Sequence, residues 1–173
     1  KTLANKGAEL VMMSRSKDEM ENLKNSLKNS NKHLIIKVDL LKNEKIKPAI
    51  FEAINFLKKI DVVIHAAGGG FGLKKPLIEN KDLNLIFQAN LGAVAEINRL
   101  IILKKKKKDL IKLIHVGSIA SSEAVGSVGY NVAKSALSAY VKSLGREMYK
   151  DNIIATGILP GGFIAPGNSM ERF

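Results

Sequence analysis

Residues 110–134 read LIKLIHVGSIASSEAVGSVGYNVAK, and three textures succeed one another along them. Leu110–Val116 is a short run dominated by Leu, Ile and Val, a strand by length and composition. A loop carrying Ser118 follows. From about Gly129 to Tyr149 the apolar residues recur at helical spacing, and Ile153–Leu159 is a strand again. Strand, loop, helix and strand in this order are the signature of a βαβ unit, and hence of a parallel sheet.

The same alternation extends towards the N-terminus. A long helical pattern covers about Lys81–Leu103. Before it lies a glycine-rich turn, Gly68-Gly69-Gly70-Phe71-Gly72, and before that Asp61–His65 (DVVIH), a strand whose Val and Ile run predicts burial. A helix is expected over roughly Ile46–Lys58, with Pro48 in its first turn, where a missing N–H does no harm. His33–Val38 is a strand ending at Asp39, Lys17–Asn29 a polar helix, and Glu9–Ser14 (ELVMMS) a further short strand. The pattern predicts a doubly wound α/β fold of Rossmann-like type. With no internal repeat and no linker-like stretch, residues 1–173 are expected to form a single domain.

Both ends read as abrupt. Leu3–Ala8 looks like the last turn of a helix closed by Gly7, and in a parallel sheet that helix needs an earlier strand to feed it. The chain stops just beyond a strand, at Glu171-Arg172-Phe173. The expectation is a sheet incomplete at both ends, lacking a central strand between the first and third strands seen here. Such a piece in isolation is expected to be unstable or prone to aggregate.

Composition narrows the function classes. Hydrophobic residues make up 46% and charged residues 25%, the balance of a globular domain. No uninterrupted apolar run reaches the ~18 residues that cross a bilayer, and Lys1–Gly7 has no apolar signal core, so a cytoplasmic location is expected. There is no cysteine, which removes disulfides and thiolate metal sites, and no metal is expected. The net charge is +12. It is carried by 24 lysines and only 4 arginines, spread along the chain, whereas nucleic-acid readers favour the planar arginine fork. A solvated basic surface is expected rather than nucleic-acid or membrane binding. Lys104–Lys108 is read as an exposed connector after a helix C-terminus, where cations suit the dipole.

Chemistry gathers around Ser118, Tyr130 and Lys134. Tyr130 and Lys134 are four residues apart, so on a helix they share a face. A lysine ammonium beside a phenol favours the phenolate, which equips the tyrosine to exchange a proton with a carbonyl or alcohol oxygen. A hydroxyl nearby can hold that oxygen while charge shifts. Ser118 lies at the C-terminal end of a strand, the edge where open α/β sheets bind ligands. A Tyr-x-x-x-Lys pair alone is commonly no more than an exposed helix face; the surrounding order gives it meaning.

Strand, Ser118, loop, Tyr130-x-x-x-Lys134, helix, strand and Pro160-Gly161 closely resemble the short-chain dehydrogenase/reductase family in its single-domain form. His65-Ala66-Ala67-Gly68 stands where that family has an Asn-Asn-Ala-Gly turn lining the cofactor. Asp39 and Leu40 end a strand where it has an aspartate near the adenine. Asn90 lies in the long helix, at the place of its fourth catalytic residue. The resemblance implies an NAD(P)-dependent oxidoreductase interconverting a carbonyl and a secondary alcohol. Tyr130 would be the acid or base, and Lys134 would hold the nicotinamide ribose. Ser118 would bind the substrate carbonyl, and Asn90 would hold a water in a proton relay. Ala66, Ala67, Gly68, Pro160 and Gly161 would line the cofactor, hydride transfer itself belonging to the nicotinamide. Ser14-Arg15 follows the first strand, where an acid favours NAD and a base pairs with the 2′-phosphate of NADP. No Asp or Glu occupies Met13–Ser16, so NADP is preferred, with NAD as the alternative.

Several positions depart from the family pattern. Its Gly-x-x-x-Gly-x-Gly pyrophosphate loop is absent, and Gly68–Gly72 has the wrong spacing and place to replace it. His65 and Ala66 stand for both asparagines of the turn, and His65 and His115 read as structural. After Pro160-Gly161, where a threonine is frequent, Gly162-Phe163-Ile164-Ala165 offers only backbone groups. Residues 162–173 would begin the lid that selects the substrate. A sugar or sugar-nucleotide oxidoreductase or epimerase is the alternative within the superfamily, and a non-catalytic cofactor-binding scaffold the alternative outside catalysis. A small-molecule carbonyl or alcohol is the expected partner. The resemblance also implies a homodimer or homotetramer, paired through the helices bearing Asn90 and Tyr130.

Overall fold

The N-terminal segment shows how local chemistry sets an element boundary. Helix α1 (Thr2–Asn5) ends where Gly7 adopts φ 90°, a conformation open to glycine at little cost. Gly7 then donates to the Ala4 carbonyl and Ala8 to that of Leu3, the paired bonds of a Schellman cap. Strand β1 (Val11–Ser14) follows. Helix α2 (Lys17–Asn25) carries Asp18 and Glu19 in its first turn and Lys24 in its last, as the helix dipole favours. It is shorter than the periodicity predicts. Ser26 Oγ donates to the Leu23 carbonyl at 2.7 Å, and Asn29 turns left-handed at φ 57°.

The computed structural model describes residues 1–162, in two compact units. Lys1–Ile60 with Ala95–Lys106 form one; Asp61–Val94 with the chain from Lys107 onward form the other. In the first unit β1 pairs in parallel with β2 (Leu34–Lys37), from Val11 opposite Leu34 to Ser14 opposite Lys37. Buried His33 ties the entry to both strands: Leu10 N–H donates to its Nδ1 at 3.2 Å, and its Nε2 lies 3.0 Å from the Lys28 carbonyl. Helix α3 (Asn43–Leu57) lays Ala49 and Ala53 against Ile36 and Val38, with Val11, Met13, Leu34 and Leu40 around them.

Pro48 is not in the first turn of α3 as expected but in its second, because the helix starts three residues earlier, at Asn43. The ring removes the N–H that would bond the Glu44 carbonyl. Glu44 and Pro48 are both exposed, so water can satisfy that carbonyl and the helix continues.

In the second unit β3 (Val62–His65), β4 (Ile111–Val116) and β5 (Ile153–Ile158) form a parallel sheet in that order. The register places His65 opposite His115, and Val116 opposite Ile158. The β4 residues Ile111, Leu113 and His115 are buried, with less buried residues between them, the period of two of a strand. Helix α6 (Val128–Met148) packs Leu137 and Val141 against Val94, beside Leu91 and Tyr140. Among the described residues β1 and β3 are each paired along one edge only. They are the strands between which the sequence reading placed a further one.

The long helix is the largest departure from expectation. It is divided into α4 (Asn80–Phe87), a π-helical segment (Gln88–Gly92) and α5 (Ala93–Lys104). By length and composition the helix over residues 80–104 is also apolar enough to cross a bilayer, an 18-residue window within it having mean hydropathy 1.3. Half of that apolar window is buried in the protein, however, and both Asn90 and Asn98 are fully buried within it. The apolarity belongs to the core.

Candidate active site

The four residues read as catalytic, Ser118, Tyr130, Lys134 and Asn90, lie in the second unit, on elements that converge at the C-terminal edge of its sheet. Ser118 follows β4 and caps a short 3₁₀ turn (Ile119–Ser121), its Oγ accepting from the Ala120 N–H at 3.1 Å. That bond uses a lone pair and leaves the hydroxyl proton to donate. The loop is anchored to the end of β5: Gly117 N–H donates to Ile158 and Ile119 N–H to Pro160, at 2.8 and 3.0 Å. Ser135 Oγ on α6 closes the other side by donating to the Ser121 carbonyl at 2.7 Å.

Tyr130 and Lys134 stand one turn apart on α6. Lys134 is only 5% exposed. Its Nζ donates to the Val116 carbonyl at 3.1 Å and lies 5.7 Å from the centre of the Tyr130 ring. Burial pushes the Lys134 pKa down, because desolvation disfavours the ammonium. One N–H is spent on Val116, and two remain for hydroxyl oxygens of a ligand. Tyr130 is half-buried and lines an open cavity. Gly126 fits against its ring: a Cβ there would come within 2.9 Å of Tyr130 Cδ1 and 2.5 Å of Asn131 Oδ1. The Gly126 N–H donates to that same Asn131 oxygen at 3.0 Å.

Asn90 is 1% exposed, and all its hydrogen bonds are to backbone. Its Nδ2 donates to the Gly69 and Ile86 carbonyls, each at 2.9 Å, and its Oδ1 accepts from the Gly69 N–H at 3.1 Å. Asn90 sits in the π segment, where bonding shifts to i→i−5 as from Ala93 to Gln88, and its side chain reaches back to the Ile86 carbonyl four residues earlier. The turn after β3 is shaped to match. Gly68 and Gly69 have φ 145° and 148°, and a Cβ on Gly68 would lie 2.5 Å from Asn90 Oδ1 and 3.7 Å from Lys134 Nζ. Only glycine meets both demands. Ala66, Ala67 and Gly68 are exposed at the end of β3 and could line a flat ligand there.

His65 and His115 are buried and stacked, ring centres 4.8 Å apart at 16°, and Tyr140 meets His115 edge-on at 6.3 Å. Burial holds the His115 pKa below the ordinary histidine range, against the opposing effect of hydrogen bonds to the Thr156 and Leu113 carbonyls. Both histidines belong to the strands themselves, His65 as the last residue of β3 and His115 within β4.

Pro160 and Gly161 also lie in the second unit, just beyond β5, with the Pro160 carbonyl accepting from the Ile119 N–H; Ser14, Arg15, Asp39 and Leu40 lie in the first. Ser14 Oγ accepts from the Ser16 N–H at 3.3 Å, and Asp39 Oδ1 from the Leu41 N–H at 3.1 Å. Leu40 packs on the core of Ile36, Val38, Ala49 and Ala53. Arg15 and Asp39 line one cavity together with Lys37, Lys42, Lys45 and Glu52. Lys42 and Lys45 escaped the sequence reading because lysine is too common in this chain to mark a site. Phe71, Leu73 and Val125, which line the cavity at Tyr130, escaped it because their loops have no period. Phe163–Ala165 and the lid expected to follow lie outside the described residues.

A family profile described as short chain dehydrogenase matches residues 1–172. Carbonyl reductase family member 4 of Danio rerio is 25% identical over 167 residues, covering 93% of this chain and 68% of the relative. The structure of a 7α-hydroxysteroid dehydrogenase, complexed with NADH and 7-oxo glycochenodeoxycholic acid, superposes with a TM-score of 0.84 at 21% identity. That match covers 91% of this chain but only 62% of the dehydrogenase. ElxO with NADP bound superposes with a TM-score of 0.81 at 16% identity, covering 92% of this chain and 66% of ElxO. The structural likenesses bear on the fold, and the profile spans nearly every residue. The chain belongs to the short chain dehydrogenase family.

Proposed function

We propose that this chain carries the catalytic group of a nicotinamide-dependent oxidoreductase interconverting a carbonyl and a secondary alcohol, with NADP preferred over NAD. The observation that carries the reading is the buried Lys134 ammonium, held by the Val116 carbonyl beside the Tyr130 ring, with Tyr130 open to a cavity. A buried cation next to an accessible phenol has a chemical use: it stabilises the phenolate left when Tyr130 gives its proton to a carbonyl oxygen.

The residues present suit a nicotinamide cofactor. Ala66, Ala67 and Gly68 offer a small, exposed surface, and the two remaining N–H groups of Lys134 suit ribose hydroxyls. When bound, the nicotinamide supplies or accepts the hydride. In reduction Ser118 donates to the carbonyl oxygen and orients it, and Tyr130 delivers the proton; oxidation reverses both. Asn90 keeps the Gly69 backbone, and with it the turn at the end of β3, in one position. The same residue keeps its second Oδ1 lone pair and its own carbonyl for a water in a proton relay. Arg15 in a cavity with three lysines supports a 2′-phosphate, and so NADP. We extend the reading to a cytoplasmic homodimer or homotetramer acting on a small molecule.

The test is oxidation of NADPH and NADH by the full-length protein against ketones, 3-oxoacyl thioesters and keto-sugars, beside Tyr130→Phe. Turnover that favours NADPH and is lost in the variant is expected. Absence of cofactor binding, or turnover retained in Tyr130→Phe, would overturn the proposal.

A further inference from the structure

The cavity beside Tyr130 is walled by Gly69–Lys74 of the loop after β3 and by Val125–Ser127 of the loop before α6, enclosing about 750 Å³. Three apolar side chains face it, from Phe71, Leu73 and Val125, and two of them are largely open to solvent: Phe71 is 41% exposed and Val125 63%. Among the described residues, the side-chain hydroxyls in the wall belong to Ser127 and Tyr130 and the charge to Lys74.

Phe71 is held there against its own preference. The Leu73 N–H donates to the Gly70 carbonyl at 3.0 Å, closing a four-residue turn. Its central residues, Phe71 and Gly72, have φ 53° and 71°, the positive pair of a mirror-image turn that Asn-Gly or Gly-Gly forms most readily. Gly72 takes this conformation freely. A bulky aromatic residue does not, and it keeps a large apolar surface in water as well. Backbone strain of this kind persists where the surroundings need the side chain in one place, and ligand clamps are among those settings.

We infer that Phe71 is a substrate-contacting, specificity-determining residue, and that the substrate is a carbonyl or alcohol whose group flanking the reacting carbon is apolar. This rests on the oxidoreductase reading above and deepens it. Phe71, Leu73 and Val125 give the apolar group somewhere to exclude water. Among the described residues the same wall gives a polyhydroxylated chain few side-chain partners, so the inference opposes a sugar or sugar-nucleotide substrate.

The experiment uses the full-length protein with NADPH and a series of methyl ketones of growing alkyl length, with a keto-sugar alongside. In the wild type kcat/KM rises roughly fourfold for each of the first few methylenes, as burial of a CH₂ predicts, and the keto-sugar trails the series. Phe71→Ala flattens that slope through KM, with kcat kept within about threefold. Phe71→Leu, which restores an apolar side chain, recovers most of it. Phe71→Ala gives up partial burial, so its melting temperature is measured beside the kinetics, and the loss of slope must appear in protein still folded at the assay temperature. An unchanged slope in Phe71→Ala, or a preference for the keto-sugar, would overturn the inference. Absence of NADPH binding overturns the oxidoreductase reading instead. The clamp is then read separately, from saturation-transfer NMR of a long methyl ketone: a signal in the wild type and none in Phe71→Ala supports it, and equal signals sink it.

Discussion

At the scale of single residues, the site depends on polar groups placed where water cannot compensate for their loss. Lys134 in a solvated position would be an ordinary cation; buried against Val116, its ammonium is held beside the phenol. Tyr130→Phe removes the proton donor and leaves the ring, so kcat is expected to fall by about 10²–10⁴ with cofactor affinity kept, as measured by titration of bound cofactor. Asn90→Ala removes three hydrogen bonds, those to the Gly69 N–H and to the Gly69 and Ile86 carbonyls. A buried group left without a partner costs on the order of 1–3 kcal/mol, so the variant should melt at lower temperature as well as turn over more slowly; equal melting temperatures would show that Asn90 does not hold the turn. The four-residue spacing of Tyr130 and Lys134 is visible in sequence, because helical geometry converts spacing into proximity. Acceptance by the Val116 carbonyl and the close fit of Gly126 are not, since both depend on how a loop without a period returns to the helix.

At the scale of elements, strand and helix order follows from the sequence because each element is longer than its uncertainty and keeps one period. Boundaries moved by a few residues where caps decide, as at Ser26. The break in the long helix is a different matter. A π turn adds one residue and hardly disturbs apolar periodicity, so nothing around Gln88–Gly92 signals it. Pro48 offers the complementary test in α3. Sitting in the second turn, it removes a bond to Glu44 that Pro48→Ala would restore. The helix interior prefers Ala over Pro by up to ~3 kcal/mol, moderated here by an exposed site already accommodated to the ring and by the freer unfolded chain. A gain of about 1 kcal/mol is expected, read as a raised denaturation midpoint with an unchanged denaturant slope. A fall would mean that the ring, which also lines the cavity at Arg15 and Asp39, is needed for its fixed backbone angle.

For the molecule as a whole, charge and burial combine to set its response to acid. The chain carries a net charge of +12, so acidification raises a repulsion already present. His115 adds a specific contribution. It is 1% exposed, stacked on His65, and its pKa is held down chiefly by burial. The sign follows from proton counting. Above about pH 6.5, the ordinary histidine value, neither the folded nor the unfolded chain protonates this ring, and its contribution is fully present. Below it the unfolded chain takes up a proton that the folded chain refuses, so stability falls with pH until the depressed folded pKa is reached. Thermal melts between pH 8 and pH 5 should therefore show a melting temperature that is level at first and then declines below about pH 6.5. His115→Gln keeps a polar side chain that can bond the Thr156 carbonyl but cannot titrate. Its melting temperature at pH 8 should be lower, from poorer packing against His65 and Tyr140, yet its decline between pH 6.5 and 5 should be shallower than that of the parent. Parallel declines would assign the acid sensitivity to net charge alone, and the buried histidine pair would then be a matter of packing.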